Sequence, residues 1–350
     1  MALCLYHPEF GYYTRGQERT GVAGDYFTSS DLHPVFARLV ARQAAEMWEH
    51  MERPRPFTFV EMGAGRGLFA CDFISWASGA LPDFAAALDY VAIEPGSVQR
   101  QRIGDRLSVA GAPSKIRLLA NLEELAPVTG CFFSNELVDA FPVHVVTRTG
   151  GRLREIFVAT EGNTLGERPG PISDPAVAAY VARYAPLLEE GHRAEVNRNA
   201  QAWMQALAGK LTRGFVLNID YGDMAERLFT TDRPRGTLLA YRGHAATEDF
   251  FTAPGETDLT AHVNFSALID TGNANGLELA GFTTQEKFLL ALGEGNQFAD
   301  LYDPGQTEVE MLQSRLKLKR LISPEGMGNI FRVLVQGRGV SEAPLSSLKY

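Results

Sequence analysis

Phe57-Thr58-Phe59-Val60-Glu61-Met62-Gly63-Ala64-Gly65-Arg66-Gly67-Leu68 runs an apolar, β-favouring segment into an acid, then alternates three glycines with other residues. A helix-like segment follows, so the stretch reads as strand, tight turn and helix. Such a turn aims backbone N–H groups and a helix N-terminus at whatever lies over it, which suits a nucleoside-bearing cofactor. The dinucleotide fingerprint needs its third glycine three residues after the second, and position 68 is Leu. The turn alone leaves several cofactors open, a flavin or a nicotinamide included.

Outward from this turn, strands and helices alternate. A helix is expected over about 67–77, a second strand at Tyr90–Glu94, a helix through about 109, then short strands at Ile116–Leu119 and Gly130–Ser134. The fully apolar runs suit strands buried on both faces of a parallel sheet, and the alternation implies βαβ units in a doubly wound α/β fold. Upstream, Val35, Phe36, Leu39, Val40, Ala44, Met47 and Trp48 recur at three- and four-residue steps, one buried helical stripe. The regularity then breaks. Val143–Val158 alternates around Thr149-Gly150-Gly151, a hairpin signal. Pro169–Pro175 reads as loop, 176–188 and 195–210 as helices, Gly214–Gly222 as a return to the core sheet, and 230–260 as loop. A helix near 263–272, a strand and helix over 276–292 and a last strand at 329–336 complete the pattern, with 337–350 as a frayed polar tail. The expected domains are an N-terminal cap and helix (1–52), a core (53–142 and 192–337), an inserted subdomain (143–191) and the tail (338–350).

Composition fits a soluble enzyme. The chain has 350 residues, 45% hydrophobic, with a net charge of −9, which argues against a nucleic-acid binder. No window reaches the roughly 18–20 apolar residues of a membrane span. Cys4, Cys71 and Cys131 have no metal-ligand spacing and read as reduced thiols, so a cytoplasmic location and no metal site are expected.

Side chains at the carboxyl ends of the strands are the candidates for chemistry. Glu94 can accept hydrogen bonds from two ribose hydroxyls, or merely face solvent. Asn121 lies where an adenine edge would sit, or caps a helix. Asn135, Glu136 and Asp139 follow the fourth strand, with Glu136 and Asp139 on one face if a helix begins at 135; the alternative is that Asn135 caps this helix and the acids complement its dipole. Asp220 and Tyr221 end the next core strand, and Arg66 is expected to be exposed. His262 precedes a helix, where a lone histidine is more often structural. Thr28 and Ser29 belong to the segment 6–30, which reads either as a lid over the cofactor or as a cap on the sheet edge.

Several motifs together resemble the MidA-type methyltransferases: Tyr6-His-Pro-Glu-Phe-Gly-Tyr-Tyr13, Gly24-Asp-Tyr-Phe-Thr-Ser29, Glu61–Gly67, Asn135-Glu-Leu-Val-Asp-Ala-Phe-Pro142, Ile219–Gly222, Asp258-Leu-Thr-Ala-His-Val-Asn-Phe265 and Gly326-Met-Gly328. That resemblance implies a class I, seven-stranded Rossmann-like fold and S-adenosylmethionine as cofactor. Glu61, Gly63, Ala64, Gly65, Gly67, Glu94, Asn121, Asn135, Thr28 and Ser29 would then hold the cofactor. Mitochondrial members of the family are protein arginine methyltransferases acting in assembly of respiratory NADH dehydrogenase, which makes a protein substrate, such as a respiratory-complex subunit, the first expectation. A small-molecule acceptor is the alternative, a non-enzymatic assembly factor the third reading, and a homodimer is allowed for. Asn135, Glu136, Asp139 and His262 are the catalytic candidates, since methyl transfer rests on positioning and an amine or guanidinium acceptor must lose a proton. Pro95 and Phe141 depart from the family's usual residues, and neither removes a proposed ligand of the cofactor.

Overall fold

The computed structural model describes residues 1–15, 25, 28–109, 116–162, 164–243, 245–303, 305–323, 325–340 and 344–350. The chain divides into two compact units, one formed by Met1–Tyr26, Val138–Gln205 and Tyr221–Thr271, the other by Phe27–Leu137, Ala206–Asp220 and Gly272–Tyr350. This division differs from the expected one: the first unit takes up the N-terminal residues and the segment 221–271 as well as 143–191.

The second unit is built on a sheet whose strands are β1 (Phe57–Met62), β2 (Leu88–Ile93), β3 (Ile116–Leu119), β4 (Val128–Asn135), β5 (Leu211–Asp223), β6 (Glu278–Thr284) and β7 (Phe331–Arg338). Their order is β6-β7-β5-β4-β1-β2-β3. β5, β4, β1, β2 and β3 pair in parallel, and β6 runs antiparallel to β7. The mostly parallel α/β class is therefore the observed one. A two-residue strand, Val263–Asn264, adds an eighth member beside Gly222 and Asp223 at the end of β5. From β1 the chain winds outward to β3 and then returns to β4 on β1's other side. That reversal makes the carboxyl ends of β1 and β4 the place where an open α/β sheet binds ligands.

Packing explains why this sheet forms. Every residue of β1 is buried. Phe59, Phe69, Phe73, Tyr90 and Phe133 meet ring to ring, with Phe59–Phe73 and Phe69–Phe133 centroids 4.5 Å apart. The helix Val35–His50 buries its whole expected stripe, from Val35 and Phe36 to Met47 and Trp48. At about 1.5–3 kcal/mol for each fully buried large apolar side chain, these contacts dominate the unit's stability.

In the first unit, Thr164–Gly170, Arg152–Glu161, His144–Thr149 and Arg193–Val196 form a four-stranded antiparallel sheet in that order. The expected hairpin is present, and Gly150 (φ 59°) and Gly151 (φ 70°) supply the two left-handed residues of its turn. Val177, Tyr180 and Val181 of the helix Pro175–Tyr184 pack with Val146, Ala194 and Val196 of this sheet.

Four expectations are corrected. The region 230–260 is not simply loop: Ala245–Thr247, Leu239–Arg242 and Asp258–Thr260 form a small antiparallel sheet, whose strands are too short to show alternation. The helix expected from 195 starts only at Arg198, because Glu195 sits in a strand with its carboxylate accepting from the Thr237 and Leu238 N–H groups. Pro169 and Gly170 belong to a strand. The tail beyond 337 is not frayed at its end: Leu345 and Ser347 are buried, and Ser346 donates its N–H and its hydroxyl to the Glu46 carboxylate at 2.7 and 2.6 Å.

Candidate active site

The second unit gathers the glycine turn, Glu94, Asn135, Glu136, Thr28 and Ser29 within itself. Gly63, Gly65 and Gly67 all adopt left-handed backbone, with φ of 72°, 52° and 70°. The three do different things. A Cβ on Gly67 would lie 3.0 Å from both Cγ atoms of buried Ile103, and one on Gly63 would lie 2.8 Å from Leu137 Cδ1. A Cβ on Gly65 would meet nothing nearer than the Gly63 carbonyl at 3.9 Å. Gly63 and Gly67 thus let the turn pack, while Gly65 leaves open space above it. Ala64 is buried within the turn.

Glu94 follows β2 and ties the turn to the next loop. Its Oε2 accepts from the Gly65 N–H at 3.0 Å and its Oε1 from the Gly96 N–H at 2.9 Å. Burial raises its pKa against the pull of those two donors and of Arg100. Each oxygen keeps a second lone pair for a ribose hydroxyl. Below the turn, Glu61 is buried and receives the Tyr90 hydroxyl at 2.7 Å. Burial pushes Glu61 up to about 8, so it is a neutral prop beneath the site at pH 7.

The end of β4 carries the second half of the site. Glu136 has a left-handed backbone (φ 50°), uncommon for a residue with a side chain and a frequent mark of functional sites. Its N–H donates to the Ile219 carbonyl at 3.0 Å, and the next N–H, from Leu137, goes to Asp220 Oδ2 at 3.2 Å. No helix begins at 135, so the expected one-turn spacing of Glu136 and Asp139 is corrected: the positive φ breaks the helix, and Asp139 lies buried in a turn of the first unit. Glu136 Oε1 accepts from the Ser29 N–H and from Asn135 Nδ2, both at 2.9 Å. Burial, with Asp220 and Asp31 nearby, pushes its carboxyl up to about 8. Among the described residues Glu136 Oε2 has no hydrogen-bond partner, and Asn135 Oδ1 is buried without one.

Thr28 caps the four-residue helix Ser29–Leu32 in a capping box with Asp31. Asp31 also receives Arg66 at 3.0 Å, so Arg66 is paired rather than simply exposed. Of the segment 6–30, residues 16–24, 26 and 27 lie outside the described residues. Asn121 caps the short helix Leu122–Glu124, accepting from the Glu124 N–H at 3.2 Å, and this use of its side chain matches the cap alternative. His262 belongs to the first unit, where its ring stacks on Tyr221 with centroids 6.5 Å apart. Two open clefts, of about 370 and 510 Å³, surround Arg55, Pro56 and Arg117 at the amino ends of the strands, the edge opposite the glycine turn. Sequence reasoning missed the Ser29–Glu136 and Asp31–Arg66 ties, since neither pair shares a local pattern.

The residues present fit S-adenosylmethionine. The space over Gly65, the paired carboxylate of Glu94 and the orphaned Oδ1 of Asn135 supply room, ribose acceptors and a buried acceptor for a polar group of the ligand. Among the described residues no group of His, Cys, Asp and Glu could hold a metal ion, and no helix is long and apolar enough to cross a membrane.

Known proteins agree with this geometry. A crystal structure from Burkholderia thailandensis, bound to S-adenosyl-homocysteine, is 28% identical and superposes with a TM-score of 0.88 over 99% of this chain and 88% of that one. The protein arginine methyltransferase NDUFAF7 of Danio rerio is 26% identical over 95% of this chain and 81% of its own length, and its Drosophila melanogaster homologue is 26% identical over 97% and 81%. Both are named as mitochondrial proteins, which overturns the expectation of a cytoplasmic location. A family model described as "Putative S-adenosyl-L-methionine-dependent methyltransferase" matches residues 39–283. With that match across most of its length, the chain belongs to this family of S-adenosyl-L-methionine-dependent methyltransferases.

Proposed function

We propose that the chain transfers a methyl group to an arginine side chain of a protein. The single observation that carries this reading is Glu136, a carboxylate at the ligand-binding edge of the sheet, held through one oxygen by Ser29 and Asn135 with the other left to a substrate. Names given to the relatives from Danio rerio and Drosophila melanogaster support it.

When bound, the cofactor supplies an electrophilic methyl group, and the Gly63–Gly67 turn with Glu94 would hold it. Glu136 Oε2 accepts an N–H of the guanidinium and fixes the plane of the acceptor nitrogen. Ser29 and Asn135 keep the carboxylate from turning, which is where most of the rate arises when a reaction depends on alignment. A carboxyl raised to about 8 is a stronger base than an ordinary glutamate once it loses its proton, and so is suited to take one from the acceptor nitrogen.

The test is methylation of arginine-containing proteins and peptides with labelled cofactor, comparing the native chain with Glu136→Gln. Turnover should fall about 10²–10⁴-fold, with S-adenosyl-homocysteine affinity changed by less than about threefold. The rate of the native enzyme should rise with pH and level off near 8, because the raised pKa keeps the base protonated below that value, and Glu136→Gln should lack this limb. Native turnover in Glu136→Gln would end the carboxylate mechanism. A large loss in His262→Ala alone, seen only with small acceptors, would favour a small-molecule substrate.

A further inference from the structure

We propose that the helix Glu308–Ile322 is a self-association surface through which two copies of this chain pair antiparallel about a two-fold axis. This helix was not foreseen from the sequence, and it has two apolar faces. Ser314, Leu318 and Leu321 are buried and seat it on its own unit. Val309, Leu312 and Leu316, spaced i, i+3 and i+7, are 65, 56 and 55% exposed. At 100° per residue these three span an arc of about 60°, on the side of the helix facing away from the buried seam. A helix seated by one stripe has no need of a second, and three consecutive large apolar residues on a solvent face are the pattern of a helix-to-helix contact.

Charge selects the occupant. Glu308 and Lys319 lie along the same edge of the apolar stripe, one at each end of the helix; among the described residues neither forms an ion pair, and Lys319 acts on Glu325 of its own chain only at longer range. Glu310 adds a second acid to the first turn, and Arg320 a second base to the last, with Arg315 and Lys317 just before it. A parallel copy would set like charges side by side. An antiparallel copy sets Glu308 of one chain beside Lys319 of the other, twice, and opposes the two helix dipoles. Leu312 then faces its own equivalent, with Val309 against Leu316. The helix carries four bases, Arg315, Lys317, Lys319 and Arg320, against two acids, so an anionic membrane is the competing occupant, while the placement of Glu308 and Lys319 at opposite ends of one edge favours a second copy. The helix is ~22 Å long, so the contact falls short of a standard interface and the pairing is weak, with a Kd of roughly 10–100 μM.

Sedimentation velocity of the full chain between 2 and 200 μM tests this without any assay of methyl transfer. The native chain should show a sedimentation coefficient that rises with concentration, and Leu312→Glu/Leu316→Glu should stay at the monomer value with an unchanged melting midpoint. If that variant fails to fold, Val309→Ser, a milder change, should still raise Kd at least threefold. Glu308→Lys should weaken pairing at least tenfold, and Glu308→Lys/Lys319→Glu should restore it. A native chain that stays monomeric at 200 μM would overturn the proposal. So would a dimer that survives Leu312→Glu/Leu316→Glu, a charge swap that fails to restore pairing, or a native chain that binds phosphatidylserine vesicles through these leucines while remaining monomeric.

Discussion

Alanine at Gly67 and alanine at Gly65 should do opposite things, although the two positions look alike in the sequence. Both force a side chain into left-handed backbone, at about 1–2 kcal/mol each. At Gly67 the new methyl also meets the fully buried Ile103 at 3.0 Å, a contact that forces this side chain to shift, so overpacking adds ~1–3 kcal/mol. The sum is about 2–5 kcal/mol of lost stability for Gly67→Ala. Gly65→Ala meets no atom closer than 3.9 Å and should cost the fold only the backbone part. It does, however, fill the space over the turn, and S-adenosyl-homocysteine affinity should drop at least tenfold. Urea unfolding by circular dichroism gives the first quantity and titration calorimetry the second. Equal destabilisation by both variants, or native affinity in Gly65→Ala, would refute the division of roles within the turn.

Two further outcomes follow from the core beneath the site. Glu61 titrates near 8 when folded but near 4.5 when unfolded, so the native state holds its proton more tightly; the stability this gives is complete below 4.5 and is lost as pH rises through 8. Glu61→Gln, which stays neutral, should therefore gain on the native chain as pH goes from 5 to 9 in urea melts, and a constant difference would contradict the buried, neutral carboxyl. Phe133→Ala removes a buried ring stacked on Phe69 and should lower stability by about 3–5 kcal/mol, and a loss below 1 kcal/mol would mean the aromatic cluster repacks.

Much of this architecture is legible in the amino-acid sequence where a local pattern carries it. The apolar runs of β1, β2 and β4, the helical stripe from Val35 to Trp48 and the Gly150-Gly151 turn each show themselves within a few residues. The glycine turn is legible too, but its division of labour is not, because Ile103 and Leu137 are distant in sequence. The helix Glu308–Ile322 escaped notice because its two narrow apolar faces blur the single stripe that marks an ordinary amphipathic helix. The supposed helix after Asn135 misled for the opposite reason: Asn-Glu-Leu-Val-Asp has helix-like spacing, and only the Leu137–Asp220 and Glu136–Ile219 hydrogen bonds hold it in another shape.

The order β6-β7-β5-β4-β1-β2-β3 also governs how this chain can fold as it is synthesised. β4 ends at Asn135 and its outer neighbour β5 begins at Leu211, so roughly 75 residues must leave the ribosome between them. At about 5–20 residues per second, that leaves the strand holding Cys131, Phe132 and Phe133 with a bare edge for ~4–15 s. An apolar edge exposed for so long invites pairing with other chains. Slow codons between 136 and 210 should lower soluble yield, whereas the same codons placed before Phe57, when no strand of the sheet has yet been made, should leave it unchanged.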